Sequence, residues 1–545
     1  MEQANMSQSP FHRRVMISNF ILVSWLVINS TSYAFQNSEQ TPPANQNRQV
    51  ARGVVFCDLN GDGKYNSGDS AFVGVKVSNG QDIVKTDRGG RYEIPIKDGG
   101  CVFIIKPTGY RTPINQHQLP KFFYLHKPAG SPRLKFTGSA PTGPLPQSID
   151  FPLYREKEPE KFKILLFGDP QPRNNKEVDY ISHDVVEELI GDKSAFGVTL
   201  GDIAFDNLDT LKTLNQSIAM IGIPWYNVIG NHDINLDAKS RAEANETFEE
   251  NYGPSYYSFD YGQVHFVVLD NIDWVAPNEK NERYRYEPRF GKQQLGFLKK
   301  DLSMIPESQM LVVLMHVPIT SVKDKSEFFD LIKDRPYCVS VSGHTHDHRH
   351  LFLGKKEGFH GPGKHHHIVN VTVSGSWWSG ALGDNQVPHS TMADGAPNGY
   401  SVMSFDRDGY KLDFKAAGRP ASEQLRIHLP SMADTSKTQE IPIWVNVYNG
   451  SEESKVEYRV DRNKKWIELT KTIEPDPYFI ELSKRDEGID PKLPKPKNSY
   501  HLWKGTLPAK LAPGTHLIEV KTIDRHGRVY IAHRSLRVTK KTIED

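Results

Sequence analysis

Five polar clusters in the middle of the chain combine aspartate, asparagine, glutamine and histidine, without cysteine. Their potential metal ligands are Asp169, Gln171, Asp202, Asn231, His316, His344 and His346. Imidazole nitrogens with carboxylate and amide oxygens suit borderline or hard divalent cations such as Mn, Fe, Zn or Mg. This set is too large for one four-coordinate ion and suits two ions that share a bridging carboxylate. The residue types therefore predict two divalent metal ions as cofactors.

Each cluster stands at the end of an apolar run with the length and composition of a buried strand. The runs are KILLF, GVTL, WYNVI, MLVVL and VSVS. Stretches with helical periodicity, such as DYISHDVVEELI and KQQLGFLKKDL, separate some of them, which is typical of an α/β domain. Because α/β sheets place their sites at the carboxyl ends of strands, we expect the five clusters to meet in the folded protein.

Single members of these clusters also have common structural uses. An isolated Asp202 or Asn231 after a strand would most often be a helix cap or a turn residue. His344 and His346 alone could be surface histidines. Asp206 could support the site or be a solvated carboxylate. It is the ordered set of five clusters that favours a metal centre.

The order of the clusters resembles that of the calcineurin-like metallophosphoesterases. That family shares the motif series D-x-H, G-D-x-x-D, G-N-H-D/E, an isolated His and G-H-x-H, and the similar region covers about residues 161–417. The resemblance implies an α/β fold with a β-sandwich core and flanking helices. It also implies a metal-dependent phosphoric ester hydrolase that cleaves phosphate mono- or diesters by attack of a metal-bridging hydroxide.

The resemblance further implies a role for each site residue. Asp202 would bridge the two ions. One ion would be bound by Asp169, Gln171, Asp202 and His346, and the other by Asp202, Asn231, His316 and His344. His232 is expected beside the scissile ester as a proton donor or transition-state contact. Asp233 is expected to fix the tautomer and orientation of His232.

Two positions depart from the family pattern. Gln171 stands where most members have histidine, and its neutral oxygen favours Mn, Mg or Fe over Zn at that position. GDIAFD is one residue longer than the G-D-x-x-D spacing, and Phe205 fills the place where purple acid phosphatases carry a tyrosine ligand. The sequence therefore argues against a tyrosinate-bound iron centre.

Residues 1–34 have the three parts of a secretory signal peptide. Basic residues at positions 12–14 precede an apolar run, and Ser32-Tyr33-Ala34 supplies a small-x-small cleavage site. No later stretch is apolar for long enough to span a membrane. We expect an exported bacterial protein, periplasmic, secreted or at the cell surface, with a polar linker at 35–50.

Residues 51–153 show short β-rich runs between turn clusters and are predicted to form an N-terminal β-sandwich domain. Within this region, DLNGDGKYNSGD has the spacing of a calcium-binding loop, with Gly63 at the sharp turn. Its candidate calcium ligands are Asp58, Asn60, Asp62, Lys64, Asn66 and Asp69. A polar hairpin without an ion is the alternative. Cys57 and Cys101 could form a disulfide or remain free thiols.

Residues 418–545 return to strand-like runs broken by proline and glycine, which predicts a C-terminal β-sandwich domain. Before it, Trp377 and Trp378 lie in a glycine-rich stretch. These rings could contact the non-phosphate part of a substrate or could pack in the core.

The 67 basic and 66 acidic residues nearly cancel, so charge implies neither a nucleic acid nor an anionic membrane as partner. Oligomeric state is not fixed by the sequence. The competing class is a non-catalytic surface protein that binds glycan or protein around a structural metal core, suggested by the two flanking β-domains. His232 and Asp233 favour the hydrolase, because a purely structural metal site has no need of them.

Overall fold

The computed structural model describes residues 49–277, 285–407, 409–509 and 511–540. The predicted signal peptide, and the predicted linker up to residue 48, lie outside these residues. The first strand begins at Gln49, two residues before the predicted start of the N-terminal domain. Within the described residues, no helix combines the length and apolarity that crossing a membrane requires.

The N-terminal region is built from strands in two sheets. In chain order they are β1 Gln49–Cys57, β2 Ser70–Ala71, β3 Lys76–Ser78, β4 Ile83–Lys85, β5 Arg91–Ile96, β6 Gly100–Ile105, β7 Tyr110–Arg111, β8 Phe123–His126 and β9 Phe151–Arg155. β1 pairs with β2, β5 and β9, whereas the second sheet has the order β4-β3-β6-β8. β5 alternates exposed and buried residues, as expected of a strand with one solvated face.

The central region carries most of the helices. Its strands are β10 Phe162–Phe167, β11 Gly197–Thr199, β12 Trp225–Asn227, β13 Tyr257–Tyr261, β14 Val264–Val268, β15 Ile272–Trp274, β16 Tyr286–Pro288, β17 Met310–Leu314, β18 Cys338–Ser342, β19 Arg349–Leu353, β20 His365–Val369, β21 Gly399–Asp406 and β22 Gly409–Ala416. Its α-helices are α1 Asn175–Ile181, α2 Thr210–Ala219, α3 Glu246–Tyr252, α4 Lys292–Leu302 and α5 Lys325–Ile332. A π-helical turn, Ser182–Val186, follows α1.

Two mixed sheets form the core of this region. One has the order β12-β11-β10-β21-β22 and the other β13-β14-β17-β18-β20-β19. Ile164 and Leu166 of β10 share one apolar cluster with Val312 of β17, so these sheet faces pack together. Leu165 faces the opposite way, toward the side chains of α1 and α2. Val313 likewise faces α4 and α5.

These layers explain why the strand runs are continuously apolar. β10, β11 and β12 are mutually parallel, as are β14, β17, β18 and β20. Parallel strands covered on both faces lack the polar alternation of a half-exposed strand. The predicted α/β fold with a β-sandwich core and flanking helices is confirmed.

The C-terminal region is a second pair of sheets. Its strands are β23 Leu425–His428, β24 Met432–Asp434, β25 Pro442–Val447, β26 Lys455–Val460, β27 Ile467–Glu468, β28 Thr470–Pro475, β29 Asn498–Thr506, β30 Gly514–Ile523 and β31 Val529–Thr539. The sheets have the orders β23-β25-β29-β28 and β24-β31-β30-β26-β27 and enclose one apolar cluster. Helix α6, Pro477–Arg485, begins at the N-cap Asp476 with proline at its first position.

The N-terminal region shares its core with the central region. Val55, Val77 and Phe103 belong to the same apolar cluster as Phe266. The ring of Phe103 meets that of Phe297 in α4 edge to face, with centroids 5.9 Å apart. The three cysteines are free, so Cys57 and Cys101 form no disulfide.

A buried ion-pair cluster also joins these two regions. Lys127, which is nearly inaccessible, pairs with Glu246 and Glu249 of α3, and its Nζ lies 2.8 Å from Glu249 Oε2. Replacing Lys127 with methionine would leave two largely buried carboxylates without their cation.

Lys127→Met should lower the free energy of unfolding by about 3–5 kcal/mol, the usual consequence of leaving one half of a buried ion pair alone. Urea unfolding followed by tryptophan fluorescence measures this loss. Lys85→Met, at an exposed position of β4, is the matched control and should unfold with the wild type. Equal midpoints for Lys127→Met and Lys85→Met would contradict this role of the cluster.

Candidate metal centre and substrate cleft

The loops after β10, β11, β12, β17 and β18 bring the predicted ligands into one connected cluster. The two oxygens of Asp202 face different neighbours. Asp202 Oδ1 lies 3.2 Å from His316 Nε2, whereas Oδ2 accepts a hydrogen bond from Gln171 Nε2 at 3.0 Å. Asp202 therefore stands between the two predicted ligand sets, where a bridging carboxylate would have to be.

Lone pairs converge on the Asp202 Oδ1 side of the cluster. His316 Nδ1 lies 2.8 Å from the carbonyl oxygen of Leu200, which can only accept, so Nδ1 carries the hydrogen and Nε2 of the neutral ring is an acceptor. That Nε2 lies 3.1 Å from Asn231 Oδ1 and 3.1 Å from His344 Nδ1. Ligand atoms of Asp202, His316 and His344 lie within 4.8 Å of one another. This donor set fits a divalent cation.

The second predicted ligand set also directs acceptor atoms toward one another. His346 Nδ1 donates to the carbonyl oxygen of Gly375 at 2.6 Å, so its other ring nitrogen, Nε2, is an acceptor; it lies 3.8 Å from Asp169 Oδ1. Gln171 Oε1 is buried and has no hydrogen-bond partner among the described residues. A buried polar atom without a partner is costly, and a cation would satisfy it. The residues present therefore fit two metal ions.

Burial and neighbouring charges shift the pKa values of Asp169 and Asp202 in opposite directions. Burial, reinforced by the nearby Asp202, raises the pKa of Asp169 to about 8 although His316 opposes it. Burial alone would also raise the pKa of Asp202, but His316 and His232 outweigh it and lower that pKa overall. Two close carboxylates removed from water do not both hold a negative charge unless a cation compensates them.

The terminal histidines are suited to act as neutral ligands. Burial, reinforced by the nearby His316, lowers the pKa of His344 to about 3. Burial likewise lowers the pKa of His346 to about 3. Both rings are therefore neutral at physiological pH, and a neutral imidazole is the form that binds a metal ion.

Left-handed backbone conformations concentrate around the cluster. Non-glycine residues with positive φ include Asp169, Gln171, Asp202, Asp206, His344, His346, Trp377 and Trp378. Such conformations are costly and cluster at functional sites. Gly201 has φ of 88°, and a Cβ there would lie 2.5 Å from His316 Nδ1. A Cβ on Gly343 would lie 2.4 Å from Asp169 Oδ2, so close approach requires both motif glycines.

His232 lies beside the ligands, but its partner is not the predicted one. His232 Nδ1 is 2.7 Å from Asp206 Oδ1. Asp233 instead accepts hydrogen bonds from the backbone of Ala204 at 2.9 Å and Gly230 at 2.8 Å. The predicted role of Asp233 in orienting His232 is therefore wrong, because its carboxylate braces the surrounding loops. Asp206 takes that role.

The carboxylates around His232 favour its protonated form. Burial alone would lower the pKa of His232, but Asp202 and Asp206 outweigh it and raise the pKa to about 9. The ring of Phe205 stacks on His232 with centroids 4.4 Å apart and an interplanar angle of 17°. His232 is thus held between an aromatic face and a carboxylate.

The two tryptophans have different environments. Trp378 is 1% exposed and donates from Nε1 to the carbonyl oxygen of Pro170 at 3.1 Å, so of the two alternatives it takes core packing. Trp377 is half-buried and stacks on His346 at 4.0 Å between centroids. It lines a cleft together with His232 and Arg173. The sequence carries no signal for Arg173 beyond its position two residues after Gln171.

The predicted calcium loop also gathers its carboxylates. Oxygens of Asp58, Asp62 and Asp69 lie within 4.8 Å of one another. Asp58 accepts hydrogen bonds from Gly61 at 2.7 Å and Gly63 at 2.8 Å. These bonds form the turn without an ion, so calcium binding here stays a prediction.

Three family models match successive parts of the chain. The N-terminal domain of calcineurin-like phosphoesterases matches residues 59–140, the calcineurin-like phosphoesterase domain matches 162–348, and the C-terminal domain matches 367–530. The chain therefore belongs to the calcineurin-like phosphoesterases, as the motif series predicts. Family and site together support a metal-dependent phosphoesterase.

Similarity to individual proteins is remote. The purple acid phosphatase PPD1 from seeds of yellow lupin (Lupinus luteus) is 13% identical, with 64% of this chain and 67% of that chain covered and a TM-score of 0.34. A superoxide reductase (neelaredoxin) from Ignicoccus hospitalis is 12% identical, with 22% and 89% covered and a TM-score of 0.13. No curated protein matches the chain.

Asp202→Asn should weaken Mn²⁺ binding by more than about 100-fold. Loss of a residue that only hydrogen-bonds a metal ligand costs up to about 100-fold, and loss of a ligand itself should cost more. The physical reason is the loss of the one carboxylate that both ligand sets share. Isothermal titration with Mn²⁺ measures the change. Asp209→Asn, an exposed aspartate in the same loop, should bind as the wild type does, and equal affinities for both variants would contradict the bridging position.

Asp206→Asn should lower the pKa of His232 from about 9, because it removes one of the carboxylates that stabilise the imidazolium. The charged form of His232 is then lost at a lower pH. An NMR titration of the His232 ring measures this shift, with Asp209→Asn as the matched control. An unchanged midpoint in Asp206→Asn would show that Asp206 does not control this histidine.

Proposed function

We propose that this protein is an exported dinuclear-metal hydrolase of phosphate mono- or diesters. The observation that carries the proposal is the convergence of carboxylate, amide and imidazole lone pairs around Asp202, beside a cleft lined by His232. Export is supported by the signal-like segment at 1–34, and the substrate class by the family.

The two ions would be held as the resemblance implies. Asp202 would contact both, with Asp169, Gln171 and His346 on one side and Asn231, His316 and His344 on the other. Bound divalent cations make a water acidic and neutralise phosphoryl oxygens, and both effects lower the barrier to ester hydrolysis. Gln171 offers oxygen where histidine would offer nitrogen, which favours Mn, Mg or Fe.

His232 would handle the proton of the leaving group. In hydrolysis a water oxygen bonds to phosphorus, the ester oxygen of the leaving group departs, and that oxygen takes up a proton. With one ring nitrogen fixed by Asp206, whose carboxylate favours the protonated ring, His232 can donate the proton from Nε2. The charged imidazole also stabilises negative charge developing on the leaving oxygen.

The binding-protein alternative explains less of this arrangement. A structural metal site needs only its ligands. It does not need His232, whose ring pairs with Asp206 at the cleft. A histidine with raised pKa at the mouth of a cleft is characteristic of acid catalysis.

The test is hydrolysis of aryl phosphate mono- and diesters by the chain from residue 35 onward after reconstitution with Mn²⁺ or Fe²⁺. His232→Ala should lower kcat by about 100-fold to 10,000-fold, the usual contribution of a general acid. His183→Ala, an exposed histidine of the π-helical turn, is the control and should keep wild-type kcat. Asp202→Asn should be inactive, and full activity in that variant would contradict the mechanism.

A further inference from the structure

A cleft of about 390 Å³ lies beside His232, with walls from the central and C-terminal regions. The backbone N–H of His232 donates to Asp202 Oδ1 at 3.0 Å, so one residue of the cleft wall is bonded directly to the predicted bridging carboxylate. Its volume falls within the range of small-molecule sites, roughly 300–1,000 Å³. The cleft is therefore large enough for the part of a substrate that is not the reacting phosphate.

Two aromatic side chains line this cleft. Phe205 packs one face against His232, and Trp377 packs one face against His346. Both rings are half-buried rather than sealed in the core. Aromatic walls that are partly accessible bind flat apolar groups well, because they supply contact area at little cost in conformational entropy.

Cationic side chains line the same cleft. Arg173 is fixed by Glu177, with Nε donating to Oε1 at 2.8 Å, and its Nη2 donates to the carbonyl oxygen of Trp377 at 3.0 Å. Lys492, from the C-terminal region, is exposed and has no ion-pair partner among the described residues. Among the described residues that line the cleft, Asp206 supplies the one carboxylate, and this carboxylate already pairs with His232. Because Arg173 is already paired with Glu177, the uncompensated charge at the cleft is that of Lys492, and it favours an anionic group.

The segment that carries Lys492 is anchored to the metal-binding loops. Lys497 Nζ donates to the carbonyl oxygen of Thr345 at 2.9 Å, and Thr345 stands between the ligands His344 and His346. The carbonyl oxygen of Pro491 accepts from the backbone of Gly380 at 3.2 Å. These contacts hold the C-terminal segment against the loops of the predicted metal ligands, so the backbone next to Lys492 is anchored at the cleft wall.

We propose that this cleft is the leaving-group subsite and that it selects phosphate esters whose leaving group carries a planar ring and a second anionic group. The proposal rests on the phosphoesterase function proposed above. Trp377 and Phe205 contact the ring, while Lys492 and Arg173 meet the second anion. The C-terminal region is thereby a specificity element and not only a structural partner.

Three substrates separate the contributions of ring and anion: glycerol 3-phosphate, adenosine 5′-monophosphate and adenosine 3′,5′-bisphosphate. For the Mn²⁺-loaded wild type, kcat/KM for phosphate release should rise in that order. Lys492→Glu should lower kcat/KM for the bisphosphate about tenfold relative to the monophosphate, mainly through KM, because it replaces a charge attraction with a repulsion. Trp377→Ala should lower kcat/KM for both nucleotides, and Trp377→Phe should restore most of it.

Lys495→Glu is the matched control, an exposed lysine on the same segment that does not line the cleft. It should keep the wild-type ratio of bisphosphate to monophosphate. An unchanged ratio in Lys492→Glu, or an equal loss in Lys495→Glu, would overturn the subsite. Hydrolysis of all three esters without preference, or of none of them by an enzyme that hydrolyses the aryl phosphate esters, would overturn this inference alone. Hydrolysis of neither these three esters nor the aryl mono- and diesters would overturn the proposed function with it.

Discussion

The site is organised around one electrostatic constraint: buried acceptor atoms face one another at the ends of the core strands. With His316 Nδ1 bonded to Leu200, the Nε2 lone pair of the neutral ring faces Asn231 Oδ1 at 3.1 Å and Asp202 Oδ1 at 3.2 Å. Although burial alone would lower it, Asp202 raises the pKa of His316 to about 9, so a proton or a metal cation has to lie between these atoms. In a medium of low polarity such an arrangement is unfavourable by itself. Divalent cations bound among these atoms would convert it into a stable centre, so the fold and the metal ions are expected to stabilise each other.

The β-sandwich core holds the ends of these strands rigidly, so the ligand atoms stay close together. The strands before Asp169 and His316 are covered on both faces, by the opposing sheet on one side and by helices on the other. The ligands then leave the strands through tight turns with left-handed backbone, where glycines allow neighbouring loops to approach. Strain in these turns is sustained because the packed layers on either side leave them no alternative.

The N- and C-terminal β-regions contribute to the same structure. The N-terminal region shares an apolar cluster with the second central sheet and adds a buried ion-pair cluster through Lys127. The C-terminal region reaches the metal-binding loops through Lys497. Both regions therefore act on the positioning of the central loops, and the C-terminal one also shapes the cleft.

The sequence identifies a site residue when the pattern that marks it lies within a few neighbouring residues. Asp169 and His344 each follow the end of an apolar strand within a short motif, so the sequence alone predicts that they lie at the carboxyl edge of the sheet. The partner of His232 could not be predicted this way. Asp233 is its neighbour in sequence and Asp206 belongs to the preceding cluster, and only the geometry of the folded loops shows which carboxylate meets the ring. Trp378 and Trp377 are adjacent and chemically identical, yet one is in the core and the other lines the cleft. Lys492 is more than a hundred residues from His346 and carries no local signal, so tertiary contacts alone reveal it.

The most direct test of the central claim is anomalous diffraction from crystals grown with Mn²⁺. Two anomalous peaks roughly 3.5–4 Å apart are predicted, the usual separation in two-metal sites. One should lie against Gln171 Oε1 and His346, the other against Asn231 and His316, with Asp202 between them. A single peak, or no anomalous density among these side chains, would contradict the account.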